Sequence, residues 1–236
     1  MTLVLRSTWI ALALCLAAGT ANAQCVDVAQ GVCVTRKTYS APANEQPFHG
    51  FADTSPAMRE ADAALVTQVL ASGLTREQGA EQALRRGWAA LQAGDFITAG
   101  HRFNQAYLLD PQGSATYHAF AALADVRFKD SAYAEELFLI ARRLPRPAPT
   151  LNADYARLLL KLRRAGEALP LLEQAVKDAP TFETAWSNLA LARLETGDNA
   201  GACAAAAQVG RLKPGTSVRQ DLALVERQAG CPRPAP

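Results

Sequence analysis

The side chains that could do chemistry in this chain are few and far apart. The histidines are His49, His101 and His118, and none has a Cys, Asp or second His at the spacing that holds a metal ion. Glu135 and Glu136, with Glu167 further on, are carboxylates of the kind used in pairs for general acid–base work, but here they read as solvated helix faces. Asp95 and Asp198 each follow a glycine and belong to turns. No Gly-x-Ser-x-Gly elbow, phosphate-cradling loop or dinucleotide fingerprint occurs. No enzyme activity, metal or cofactor is expected. The chemistry that remains is recognition. Arg157 and Lys161, one helical turn apart, either favour an acidic segment or form a plain solvated face. Trp88 is an aromatic side chain of the type that anchors interfaces.

The cysteines carry a different message. Residues 1–23 read as an export signal, with a positive charge at Arg6, an apolar core from about Trp9 to Ala18 and the small-x-small site Ala21-Asn22-Ala23. That core is too short to span a bilayer. Cys25 lies close to the cut, but Gln24 before it does not fit a lipid-attachment pattern, nor does Leu14 before Cys15. Soluble export to the periplasm is expected, with no integral membrane anchor in the mature chain. Loss of Cys15 then leaves Cys25, Cys33, Cys203 and Cys231. In an oxidising compartment an even number reads as disulfides, here with three possible connectivities. No Cys-x-x-Cys is present, so neither a thioredoxin-like pair nor a zinc knuckle is suggested. A net charge of +2, from 24 basic and 22 acidic residues, gives no electrostatic reason to expect nucleic acid.

The elements that must position these residues show up as a repeat. Aromatics make up only 7% of the chain while Ala and Leu abound, which favours close-packed helices. Ala99, Ala134, Ala168 and Ala202 follow one another at intervals of 35, 34 and 34. A second column, Ala106, Ala141, Ala175 and Val209, keeps the same intervals, with Phe103, Phe138, Leu172 and Ala206 between them. Closing prolines stand at Pro111, Pro180 and Pro214, and Arg146 takes the fourth place between Pro145 and Pro147. Three columns sharing one slip mark tandem units.

This pitch and these residues resemble the tetratricopeptide repeat, a helix–turn–helix unit. In the last unit Trp186, Leu189 and Ala190 match the large–large–small triplet of the first helix, Gly197-Asp198 the turn, Ala202 the close-packing residue and Pro214 the stop. The first unit carries Gly87, Gly94-Asp95-Phe96, Ala99, Phe103, Ala106 and Pro111. Ala190 stands for the usual Gly, Arg193 for a Tyr and Arg146 for a Pro. The resemblance implies an all-α solenoid with four repeats at 80–113, 114–148, 149–182 and 183–216. Before them, an N-terminal helix and turn are expected at 55–79, begun by Ser55 and Pro56, with a capping box at Thr75–Gln78 starting the next helix, which would run to about Gln92. After them, 217–236 would be a capping helix and tail, running antiparallel to the preceding helix so that Cys231 returns to Cys203. Residues 24–54 are expected to hold a small hairpin closed by Cys25 and Cys33, then an extended, mobile stretch.

Arrays of this kind typically bind a peptide or partner segment on their inner face. By register that face would include Leu84, Trp88, Leu91, His118, Asp125, Arg157, Lys161, Ser187, Leu191 and Leu194. Trp88 either points into the groove or packs against the N-terminal helix. The Lys–Asn–Arg set with which some members clamp a terminal carboxylate is not reproduced. The expected function is that of an exported scaffold or adaptor binding a protein or peptide, in envelope assembly or secretion. A small-molecule or cell-wall-glycan module is the alternative.

Overall fold

The computed structural model describes residues 25–232, so the export signal expected at 1–23 lies outside the described residues. Two strands, β1 (Cys25–Ala29) and β2 (Val32–Thr35), form an antiparallel hairpin that turns at Gly31. Ten helices follow: α1 (Pro56–Ala71), α2 (Arg76–Gln92), α3 (Phe96–Leu109), α4 (Ser114–Val126), α5 (Ser131–Arg143), α6 (Leu151–Lys161), α7 (Ala165–Asp178), α8 (Glu183–Glu195), α9 (Asn199–Arg211) and α10 (Thr216–Ala229).

Local chemistry fixes where the helices begin. Ser55 accepts the Met58 N–H, and Thr75 and Gln78 complete a reciprocal capping box. Asp95, Asp130 and Asp198 each cap the second helix of a repeat, accepting the N–H three residues on at 2.8–3.0 Å. The residue before each turn Asp, and the equivalent position in the third repeat, is left-handed: Gly94, Lys129, Arg163 and Gly197, with φ between 56° and 85°. They recur at the pitch of the alanine columns. Lys129 and Arg163 hold a conformation that suits glycine, so the glycine missing from the second repeat did not cost that unit its turn.

Packing follows from the columns. The helices pair as α2–α3, α4–α5, α6–α7 and α8–α9, each pair stacks on the next, and α10 rests on α8 and α9. The first helices form an inner layer and the second helices an outer one. Ala99, Ala134, Ala168 and Ala202 are all fully buried, because a methyl group is all that the closest helix approach admits. Gly87 goes further: a Cβ there would lie 2.4 Å from the Phe103 ring. Each hairpin has two apolar sides that its neighbours along the array cover. Disulfides join Cys25 to Cys33 and Cys203 to Cys231, with Cα atoms 5.6 and 5.4 Å apart. The second pins α10 to the start of α9.

The stretch between the hairpin and α1 corrects the expectation of a mobile segment. It carries two short 3-10 segments, Ala43–Glu45 and Pro47–Phe51, and lies as a strap against α3, α4 and α5. Tyr39 stacks on Phe128 at 4.0 Å, and Lys37 pairs with Asp130 at 3.1 Å. The Thr35 N–H donates to Glu136. Asn104 donates to the carbonyls of Asn44 and Gln46 and accepts from the His49 N–H, and Glu45 forms an ion pair with Arg127. Phe48 is buried among Tyr107, Tyr117 and Phe120. The reason is aromatic burial: three large rings, Tyr39, Phe48 and Phe51, outweigh the polar composition of the stretch. To insert Phe48 the chain makes a left-handed turn, with φ of 54°, 52° and 60° at Phe48, His49 and Gly50.

Candidate partner-binding groove

The inner layer encloses a groove of about 510 Å³ lined by Trp88, Leu91, Gln92, Val126, Thr150, Asp154, Arg157, Phe182 and Thr184. These residues come from all four repeats, which the superhelical stacking of α2, α4, α6 and the start of α8 brings around one space. Trp88 settles its own alternative. Its ring lines the groove, edge-on to Phe103 at 5.6 Å and tilted against His118 at 4.9 Å. Helix α1 meets α2 elsewhere, at Gly79, where a Cβ would lie 2.6 Å from Val69.

Beneath Trp88 the floor is polar. His118 is buried, and its Nε2 shares a 2.9 Å hydrogen bond with Asp154 Oδ2. The imidazole also packs on Phe138 at 5.8 Å. Arg157 stands 3.8 Å from the other oxygen of Asp154, too far for a hydrogen bond. Beside them, Lys161 donates to Asp125 at 2.6 Å and to Ser131 at 3.3 Å. Thus His118, Asp125, Arg157 and Lys161 sit on adjacent first helices, two of them closed into one ion pair.

Trp88, Leu91 and Arg157 line the groove, with His118 directly under it. Leu84, Ser187, Leu191 and Leu194 do not line it. Leu84 is buried and borders a smaller hollow of about 180 Å³ with Glu77, Glu81 and Arg146. Ser187 is buried, and Leu191 and Leu194 are half-buried against the core. Gln92, Val126, Thr150, Asp154, Phe182 and Thr184 line the groove without being among the residues expected there. Asp154 had a signal, for Asp154, Arg157 and Lys161 follow i, i+3, i+7 spacing on one helix face. Phe182 had none, lying just outside the helix it precedes.

The carboxylates considered for acid–base work are engaged in structural contacts, Glu135 and Glu167 sharing Arg164 and Glu136 standing apart from them. Glu135 accepts from Arg164 at 2.7 Å and from the Tyr155 hydroxyl at 2.9 Å. The Arg164 hydrogen bond holds Glu135 below the usual carboxylate range. Burial and the Glu135 contact push the Tyr155 phenol up to about 12. Glu136 accepts from the Thr35 N–H at the end of β2, and Glu167 pairs with Arg164. Among the described residues no cluster of three or more His, Cys, Asp or Glu could hold a metal ion.

Solved structures share this architecture. PilF of Pseudomonas aeruginosa aligns over 65% of this chain and 70% of its own, with 22% identity and a TM-score of 0.56. PilW, a widely conserved type IV pilus biogenesis factor, aligns over 73% and 78%, with 18% identity and a TM-score of 0.53. This is the tetratricopeptide-repeat fold. YrrB, a tetratricopeptide-repeat protein with an unusual peptide-binding site, aligns over 70% and 87% at 17% identity and a TM-score of 0.50. No protein-family model matches the chain, and no curated protein matches it significantly. The tetratricopeptide-repeat array of this protein has the expected capping helix and disulfide-closed hairpin, and adds the strap.

Proposed function

We propose that this protein is an exported, non-enzymatic scaffold that holds a segment of another protein in its inner groove, in envelope assembly or secretion. The observation that carries the proposal is the convergence of four repeats on one space, with an indole and a phenyl ring on its wall. Such a surface offers apolar burial with a few polar anchors, the usual composition of a recognition site. Two disulfides suit an oxidising compartment, in keeping with the leader read at 1–23. No helix among the described residues is long and apolar enough to cross a membrane. PilW, a type IV pilus biogenesis factor, offers precedent for such a role on this fold, and YrrB for a peptide site.

The test places a photo-crosslinking amino acid at Gln92, inside the groove, and separately at Gly210 on the exposed side of α9. A partner captured from Gln92 and not from Gly210, and lost on Trp88→Ala, supports the proposal. Equal capture at both sites, or capture indifferent to Trp88→Ala, refutes it.

A further inference from the structure

The groove's charges are not evenly spent, and the imbalance describes what it would hold. Asp154 has one oxygen occupied by His118. Lys161 is closed by Asp125 and Ser131. Arg157 is the exception: its side chain is about half exposed (49%), its nearest carboxylate oxygen is 3.8 Å away, and it donates no hydrogen bond among the described residues. A guanidinium has five N–H donors in a planar fork suited to a carboxylate. The apolar part of the wall is made by Trp88, Leu91, Val126 and Phe182, with Gln92, Thr150 and Thr184 among them.

Resting on the groove as the partner site, we infer that the bound segment is acidic and apolar together. It carries a large aliphatic or aromatic side chain that enters between Trp88 and Phe182, next to an Asp or Glu that meets Arg157. A basic segment is disfavoured on two grounds. It would face the Arg157 guanidinium, which donates no hydrogen bond among the described residues, whereas Asp125 and one oxygen of Asp154 are already hydrogen-bonded. A purely apolar segment would bury the Arg157 donors without acceptors, which costs more than leaving them in water. A carboxylate there makes charge-assisted, two-pronged hydrogen bonds in a partly dry site.

The experiment uses the whole exported chain, without the leader read at 1–23, as a Trp186→Phe variant, which leaves Trp88 as its tryptophan. Its emission reports directly on the groove. Short blocked peptides with a central Leu-Phe are titrated, followed by Asp-Glu in one series, Lys-Lys in a second and Ser-Ser in a third. The acidic series is expected to shift Trp88 emission with about tenfold tighter binding than the neutral one, and more so against the basic one. Arg157→Glu should reverse the order of acidic and basic peptides, and added salt should narrow the gap. Equal affinity across the three series, or an order unchanged by Arg157→Glu, overturns the inference. Crosslinking from Gln92 reads the groove independently of peptide charge, so the failure of this inference is distinguishable from failure of the proposed function.

Discussion

Substituting Gly100 by Ala isolates the strap from the array it lies on. A Cβ at Gly100 would stand 2.5 Å from the Glu45 carbonyl oxygen, 2.9 Å from its carbon and 3.0 Å from its Cα. Ordinary contact is about 3.5 Å, so the strap backbone must lift by about 1 Å. No side chain can swing aside, because the obstructing atoms are main chain. Overpacking of this sort costs about 1–3 kcal/mol. Ala also favours helix α3 over Gly by about 1 kcal/mol, and that gain holds whether or not the strap is docked. Global stability should therefore change by only about 0–2 kcal/mol, while the free energy of strap opening falls by the full steric cost. Amides of residues 36–54 should lose about 5- to 150-fold of their hydrogen-exchange protection. Amides of α7, far along the array, should keep theirs. Hydrogen exchange followed by mass spectrometry reads both. Unchanged exchange in 36–54 would show that Glu45 does not press on α3, and the strap as described would be wrong.

Two other outcomes are expected. Ala168→Leu, at a fully buried position of the repeat column, should cost about 1–3 kcal/mol and lower Tm by several degrees. Gly166→Ala, two residues away with nothing within 4 Å of its would-be Cβ, should not destabilise; thermal melts that fail to separate the pair would contradict the close approach. On acidification the strap should loosen in two stages. Burial is the main cause holding the His49 imidazole below its ordinary value, with Asp62 opposing and His101 assisting. A base with a depressed folded pKa stabilises only when neutral, so this contribution is lost as pH falls from about 6.5 towards the lower folded value. Burial raises Asp130, but the Tyr133 N–H, Lys37 and the Tyr39 hydroxyl outweigh it and hold the carboxyl below its usual range. Its contribution is present above about pH 4 and fades as pH falls through the folded value. Amide protection of 36–54, corrected for intrinsic rates, should drop in that order, and His49→Gln should remove the first stage. Protection that rises between pH 7 and 5 would refute the assignment.

What could be read from the sequence and what could not divide along one physical line. Ala99, Phe103 and Ala106 announce a helix pair because each hairpin buries the same face against a copy of itself, so the constraint repeats and leaves a periodic trace. The strap binds a surface that exists once. Its rings Tyr39 and Phe48 meet partners about 60 to 90 residues away (Phe128, Tyr107, Tyr117, Phe120), and a contact made once has no period. Its trace was on the receiving helix instead. Gly100 and Asn104 are poor helix formers one turn apart in the middle of α3, and both turn out to face the strap backbone. The groove falls between these cases. Trp88, Leu91 and Arg157 were reachable because register says which face of a first helix looks inward. Register does not say how far round the superhelix turns, and that turn is what brings Phe182 and Thr184 opposite Trp88 while leaving Leu191 and Leu194 against the core. The same reasoning makes the groove depend on curvature as well as on Trp88 and Arg157: a change at Gly87, where a Cβ would meet the Phe103 ring at 2.4 Å, would alter the site from behind the wall that Trp88 presents.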